Sequence, residues 1–329
     1  MIVVRAPFRV SFLGGGSDLP YFYREHGGAV LSTAINRHMF LTGREMYNKD
    51  QSLLKYSRTE AVSHFSQIQH PIFREVFRMY ELKGLDIGVS SDIPAGSGLG
   101  SSSSFTVALL ALVDKMKRLG LSRMEIAELA CHIEIDKLGE TIGKQDQFAS
   151  AFGGMNLLTF GRSGSVTVEP CLLGTGELEW LSKTLYLVEA DGIGRAAGEM
   201  LGQVQDHVRQ NKSAFQATQD LADLAIQGFR QIRIGGIQVL PELLNEAWRL
   251  KKLATPEILM SSATDVMEAG MSDGATAAKL LGAGGGGFVL FVVEPLEQSR
   301  FIRAMREYTV LKIGPDLSGV SVIYEEEEK

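Results

Sequence analysis

At 329 residues the chain has room for about two domains. Its 45% hydrophobic and 22% charged content is that of a folded protein and not of a disordered one. The formal net charge of −6 argues against a duplex nucleic-acid binder while leaving room for a local basic pocket.

In chain order, Ile2, Val3 and Val4, then Val10, Phe12 and Leu13, predict strand material interrupted at Ala6-Pro7. Arg5 and Pro7 also break the apolar run before it could form a signal-peptide core. The strand stops at Gly14-Gly15-Gly16-Ser17-Asp18, where glycines let backbone approach a ligand and Asp18 either offers two acceptors to hydroxyl groups or serves as a turn residue. Ala29 to Thr42 reads as a strand pair, Ile72 to Tyr80 as a short helix, and Leu85, Ile87 and Val89 as a half-buried strand. His26, His38, His64 and His70 lack metal-ligand spacing and are assigned to packing or solvent.

Ser91 to Ser104 then forms a glycine- and serine-rich turn, and Phe105, Ala108, Leu109, Leu112, Val113 and Met116 recur at helical spacing behind it. The free N–H groups and positive dipole of that helix start, with Gly96, Gly98 and Gly100 before it, outline a phosphate cradle; a plain serine cap is the alternative. The apolar run 105–113 is about half the ~18 residues of a membrane span.

Ser122 and Glu125 form a capping box for a helix whose stripe is Ile126, Leu129, Ala130 and Ile133. Glu134 lies on its flank, facing another element or paired with Lys137. In Gly143-Lys144-Gln145-Asp146-Gln147, Asp146 is a hydroxyl-orienting base or a helix cap. Loop-like residues from Gly161 to Gly176 suggest domains at 1–176 and 177–329. The second begins with a strand, Thr184 to Ala190, whose exit turn carries Arg195. Helices follow to about Ile232 and from Pro241 to about Leu253, then a short helix reaching Lys279. After Gly282-Ala283-Gly284-Gly285-Gly286-Gly287 come a strand, Val289 to Val293, a helix, Phe301 to Tyr308, a last strand, Gly319 to Tyr324, and an acidic tail. Cys131 and Cys171 are too far apart in sequence to suggest a disulfide framework or a thiolate metal site. The expected setting is the cytoplasm.

The glycine run 282–287 formally matches G-x-G-x-x-G, but it opens a strand where a dinucleotide fingerprint would open a helix. No Walker A loop, H-R-D or D-F-G occurs. Three segments together do match a family. Ala6-Pro-Phe-Arg9 running into Gly14-Gly-Gly-Ser-Asp18, Pro94-x-x-x-Gly98-Leu-Gly-Ser-Ser102, and Gly282-Ala-Gly-Gly-Gly-Gly-Phe288 resemble, in order, the three motifs of the galactokinase, homoserine kinase, mevalonate kinase and phosphomevalonate kinase (GHMP) superfamily.

The resemblance implies an α+β fold of two domains, the first ribosomal-protein-like and the second ferredoxin-like, with ATP between them. It implies Asp146 and Arg9 as catalytic residues, and Ser102 and Glu134 as Mg²⁺ ligands. The phosphates of ATP would lie on Pro94, Gly96, Ser97, Gly98, Leu99, Gly100, Ser101, Ser102 and Ser103. Gly15, Gly16, Asp18, Gly284 and Gly285 would approach the acceptor. Arg5 to Pro20, Gly27 to Asn36 and Gly143 to Gln147 further resemble the D-glycero-D-manno-heptose 7-phosphate kinases, with fucokinase-type domains sharing the last run. Galactokinases carry Glu-His at Gly15-Gly16, and relatives tend to carry glycines where this chain has Ala277-Ala278. A phosphosugar acceptor needs a distal cation; the candidates are Arg195 and Lys144, the latter alternatively a salt-bridge partner of Asp146. The expected partner is a sugar or sugar phosphate, with no nucleic acid or membrane and with homodimerisation open. A non-catalytic sugar sensor on this fold and an oxidoreductase are the competing classes.

Overall fold

The computed structural model describes residues 1–190, 197–256, 261–282, 284 and 286–326. The first half comprises β1 (Ile2–Leu13), α1 (Pro20–His26), β2 (Gly28–Glu45), β3 (Ser52–Lys55), β4 (Thr59–Val62), α2 (Pro71–Met79), β5 (Leu85–Ser91), α3 (Ser101–Lys117), α4 (Arg123–Cys131), α5 (Gln145–Phe152), β6 (Met155–Phe160) and β7 (Val166–Pro170). The second comprises α6 (Thr175–Thr184), β8 (Leu185–Ala190), α7 (Ala197–Gln210), α8 (Lys212–Gly235), α9 (Leu240–Ala254), α10 (Ser261–Ser272), β9 (Ala275–Leu280), β10 (Gly287–Val293), α11 (Gln298–Ala304), β11 (Val310–Lys312) and β12 (Ser321–Glu325).

Two sheets organise these elements. The first is eight-stranded, in the order β12-β1-β2-β5-β3-β4, with β6 also pairing β2 and β7 pairing β6. The second runs β11-β8-β10-β9, all antiparallel, which is the order expected of a ferredoxin-like half. The helix α3 covers the first sheet and is buried from Ser103 to Val113, so its apolar residues surround the whole helix and do not form a stripe. Leu221 and Phe229 of α8 join the same core as Leu185, Leu187, Leu290 and Val292 of the second sheet. The other face of that sheet packs on Val266, Met267 and Phe301.

Three expectations are corrected. The first strand is not interrupted at Ala6-Pro7: β1 continues, and its pairing with β2 shifts register between Pro7 and Arg9. Pro7 has no N–H to give the ladder, and Ser104 Oγ takes up its carbonyl at 2.9 Å. The short helix expected before Gly282 is the strand β9, so the glycine run stands between two antiparallel strands, β9 and β10, and not between a helix and a strand. The strand pair expected over Ala29 to Thr42 is one continuous strand, β2, while the last strand, as expected a strand, pairs with β1 in the first sheet. No helix among the described residues is long and apolar enough to cross a membrane.

Candidate active site

Arg9 sits just past the register shift in β1, 5% exposed, and its backbone N–H donates to Leu99 O instead of to a strand partner. Its Nη1 donates to Gly98 O at 2.8 Å and its Nε to Asp146 Oδ1 at 2.7 Å. One guanidinium therefore ties the loop before α3 to the first turn of α5, leaving Asp146 Oδ2 without that tie.

Asp18 lies across from this pair and is 2% exposed. Its Oδ1 accepts from Gly16 N at 3.1 Å and its Oδ2 from Gln145 N at 3.3 Å. Burial, then the neighbouring Asp146 carboxylate, push its pKa up. Gly143 has to be glycine here, because a Cβ would stand 1.8 Å from Asp18 Oδ2.

Glu134 does not pair with Lys137. It lies in a single π turn, His132–Lys137, that continues α4 and turns it fully inward. Oε1 accepts from Ser102 Oγ at 2.7 Å and Oε2 from Gln147 Nε2 at 2.8 Å. Burial is the main cause of its raised pKa, opposed by these hydrogen bonds. Glu134 stands behind Ser102, and Ser102 itself faces the cavity.

These groups surround a cavity of about 1270 Å³ between the two halves. Arg9, Gly15, Gly16, Asp18, Pro94, Gly96, Gly98, Gly100, Ser101, Ser102, Ser103 and Asp146 all line it. Gly100, in the left-handed region, precedes α3, whose first N–H groups have no partner within the helix. The turn after β9 packs directly on this loop: a Cβ at Gly282 would meet Gly98 Cα at 2.8 Å.

Other candidates lie elsewhere. Ser97 and Leu99 are wholly buried beneath the loop and do not line the cavity, so only their backbone could serve a phosphate. Gly284 is buried and also outside the lining. Lys144 does not reach the cavity: its Nζ donates to Gly164 O at 2.6 Å and lies over the Tyr23 ring. Arg195 and Gly285 lie outside the described residues.

Several residues that no sequence motif marks for the site also line the cavity. Tyr56, His70 and Phe105 form an aromatic end, with the His70 ring 5.1 Å from Tyr56 and 4.9 Å from Phe105. Lys251 and Lys279 add a basic pair to the lining, Lys279 standing on a strand where a helix end was expected. Among the described residues no three His, Cys, Asp or Glu side chains cluster as metal ligands.

Comparison with known proteins bears on the same residues. The N-terminal domain of the GHMP kinases matches residues 66–154 and their C-terminal domain matches residues 225–310. The chain belongs to the GHMP kinases. The first matched stretch contains the loop before α3, Glu134 and Asp146, and the second contains Lys251, Lys279 and the glycine turn. As a GHMP kinase it is a phosphotransferase with an alcohol group as acceptor.

It is similar to D-glycero-alpha-D-manno-heptose 7-phosphate kinase of Campylobacter jejuni, 26% identical over 93% of each chain. A bifunctional fucokinase/GDP-fucose pyrophosphorylase of Arabidopsis thaliana is 26% identical over 92% of this chain and 31% of its own length. Among solved structures, a D-glycero-D-manno-heptose 1-phosphate kinase from Bacteroides thetaiotaomicron superposes with a TM-score of 0.80 at 26% identity, covering 99% of this chain and 100% of that one. The mevalonate kinase of Methanococcus jannaschii shares the fold, with a TM-score of 0.75 at 18% identity over 95% and 98% of the two chains.

Proposed function

We propose that this GHMP kinase phosphorylates the anomeric hydroxyl of D-glycero-D-manno-heptose 7-phosphate, giving the 1,7-bisphosphate, with Mg-ATP as donor. The observation that carries the reading is the convergence of Asp146, Arg9 and Asp18 on one cavity, in a chain similar along nearly its whole length to a heptose phosphate kinase.

In the reaction, Asp146 orients the acceptor hydroxyl and takes its proton. The hydroxyl oxygen then attacks the γ-phosphorus in line, the bond from that phosphorus to the β-γ bridging oxygen breaks, and ADP leaves. Arg9 keeps Asp146 in position through its Nε and offers positive charge beside the loop that carries the transferred group. Asp18 takes hydrogen bonds from ring hydroxyls, and the backbone N–H groups from Ser101 to Ser103 bind phosphate oxygens. The aromatic end at Tyr56, His70 and Phe105 accommodates the nucleobase.

The residues fit a magnesium ion. Glu134 is a buried carboxylate whose hydrogen-bond partners, Ser102 and Gln147, are neutral, with no cationic partner among the described residues. Glu134 and the Ser102 hydroxyl offer the hard oxygen donors that Mg²⁺ prefers. When bound, the ion neutralises phosphate charge.

A second reading, a fucokinase-like 1-kinase of a free sugar, has the fucokinase similarity behind it. ADP release from Mg-ATP is measured with D-glycero-D-manno-heptose 7-phosphate, fucose, galactose and mannose, alongside Asp146→Asn. Turnover of the heptose phosphate, lost at least a hundredfold in the variant, is the expected result. Turnover of free sugars alone discards the heptose phosphate reading, and ATP binding without any turnover points to a sensor.

A further inference from the structure

The second half brings two lysines to the cavity that the chemistry above leaves unused. Lys279 of β9 is 3% exposed and donates to Ser11 O at 2.9 Å and Phe12 O at 2.6 Å. Lys251 of α9 donates to Leu280 O at 2.9 Å and Gly282 O at 2.7 Å. An ammonium has three N–H donors, so these bonds leave one on each lysine.

Neither lysine has a carboxylate partner among the described residues, and the one other cation beside them, Arg9, already has Asp146. Burial and the neighbouring cations push both pKa values down, Lys251 to about 7 and Lys279 well below the usual lysine range. Two ammonium groups in such a place are costly unless an anion joins them.

Ser11 adds an independent feature. It lines the cavity at 7% exposure, and its Oγ is buried without a partner, beside Gly15. Next to it, a Cβ on Gly16 would meet nothing within 4 Å, so the wall is open there. Ser11 lies two residues beyond Arg9 on β1, about 7 Å at the usual rise of a strand. Ser11 thus stands beside Gly15 and about one sugar ring along β1 from Arg9, Lys279 is tied to the backbone of Ser11 and Phe12, and Lys251 extends the same positive patch from Lys279 toward Gly282 and Arg9.

We propose that Lys251, Lys279 and the Ser11 hydroxyl form the subsite for a second phosphate carried by the acceptor, remote from the hydroxyl that is phosphorylated. This rests on the reading of the chain as a phosphosugar kinase. A phosphate monoester carries a charge of roughly −1.5 to −2 near neutral pH, which matches two ammonium groups. Its oxygens accept the spare N–H of each lysine and the Ser11 O–H. The subsite replaces Lys144, whose ammonium points away, as the source of distal charge.

The test compares the wild-type protein with Lys251→Met, Lys279→Met and Lys251→Arg. Each receives Mg-ATP with D-glycero-D-manno-heptose 7-phosphate or with unphosphorylated D-glycero-D-manno-heptose, and melting temperatures are recorded. The wild type is expected to favour the phosphorylated acceptor in kcat/KM. Each methionine variant reduces that preference at least tenfold through KM for the phosphosugar, with KM for ATP moving less than threefold, and Lys251→Arg restores most of it. Lys279 ties β9 to β1, so Lys251→Met decides the matter where Lys279→Met fails to fold. A wild-type preference that survives intact in Lys251→Met overturns the subsite and leaves the phosphosugar reading standing. A wild type without the preference overturns both, and a rise confined to KM for ATP assigns the lysines to the nucleotide and overturns the subsite.

Discussion

At Gly100 the loop before α3 packs against the proposed base, and Gly100→Ala tests that contact. Gly100 has φ +81 and ψ 29, left-handed values that cost an alanine about 1–2 kcal/mol. The smaller entropy of the unfolded alanine chain returns about 0.4–1 kcal/mol, so the net loss of stability is about 1 kcal/mol, or ~2–4 °C in Tm. The added Cβ would also stand 3.1 Å from Asp146 Oδ2 and 3.2 Å from its Cγ. The carboxylate must give way by a few tenths of an ångström while Arg9 holds its other oxygen at 2.7 Å. A misplacement of ~1 Å can cost about a hundredfold in rate, so kcat should fall roughly tenfold or more.

Gly120→Ala supplies the control. Gly120 is exposed, has φ +75, and its added Cβ would touch nothing within 4 Å, so it carries the backbone cost without the contact. ADP release and thermal melts on both variants should give similar losses of Tm and a loss of kcat in Gly100→Ala alone. Equal kcat in the two variants, with Tm lowered in both, would refute the proposal that Asp146, through the oxygen that Arg9 leaves free, meets the acceptor.

Two further predictions follow from burial. Glu134→Gln keeps the hydrogen-bonding shape but removes the negative charge behind Ser102, so the Mg²⁺ concentration for half-maximal rate should rise at least tenfold; an unchanged magnesium titration would remove Glu134 from the metal site. Lys251, held to about 7 when folded by burial and Arg9, binds fewer protons than in the unfolded chain at pH values above that. Its penalty is therefore full below pH 7 and shrinks as pH rises from about 7 toward 10, so Tm measured without ligand should gain less over that window in Lys251→Met than in the wild type; identical profiles would show that the ammonium is not under strain.

The loops were legible because their residue types answer a local need. Glycines at 96, 98 and 100 before an apolar helix announce close backbone, and all three have positive φ. Ser122 and Glu125 form their capping box as read. What failed depended on distant partners. Ala275 to Leu280 is rich in good helix formers, yet β10 offers it a full ladder of hydrogen bonds, and pairing overrides propensity. Nothing in Ser321 to Glu325 says that its partner lies more than three hundred residues earlier. The π turn at Glu134 leaves no mark in an apolar spacing that fits an ordinary helix, although the turn buries the carboxylate.

The charged part of the site was legible on one side only. Asp18, Glu134 and Asp146 stand in segments whose glycines and amides advertise them, whereas Lys251 reads as an ordinary positive residue in the last turn of α9. A net charge of −6 could not reveal the lysine pair, since a few buried cations vanish in a total dominated by solvent-exposed acids. Lys279 did leave a trace, standing between Ala277, Ala278 and Leu280 in a segment otherwise fit for burial. A charge in such a place implies either a partner within the protein or one that arrives from outside, and the described residues supply only carbonyl oxygens. On the proposed assignment the first half thus brings the carboxylates for hydroxyl and metal, the second brings two lysines that have no carboxylate partner among the described residues, and a cavity so lined would suit an acceptor that is itself an anion.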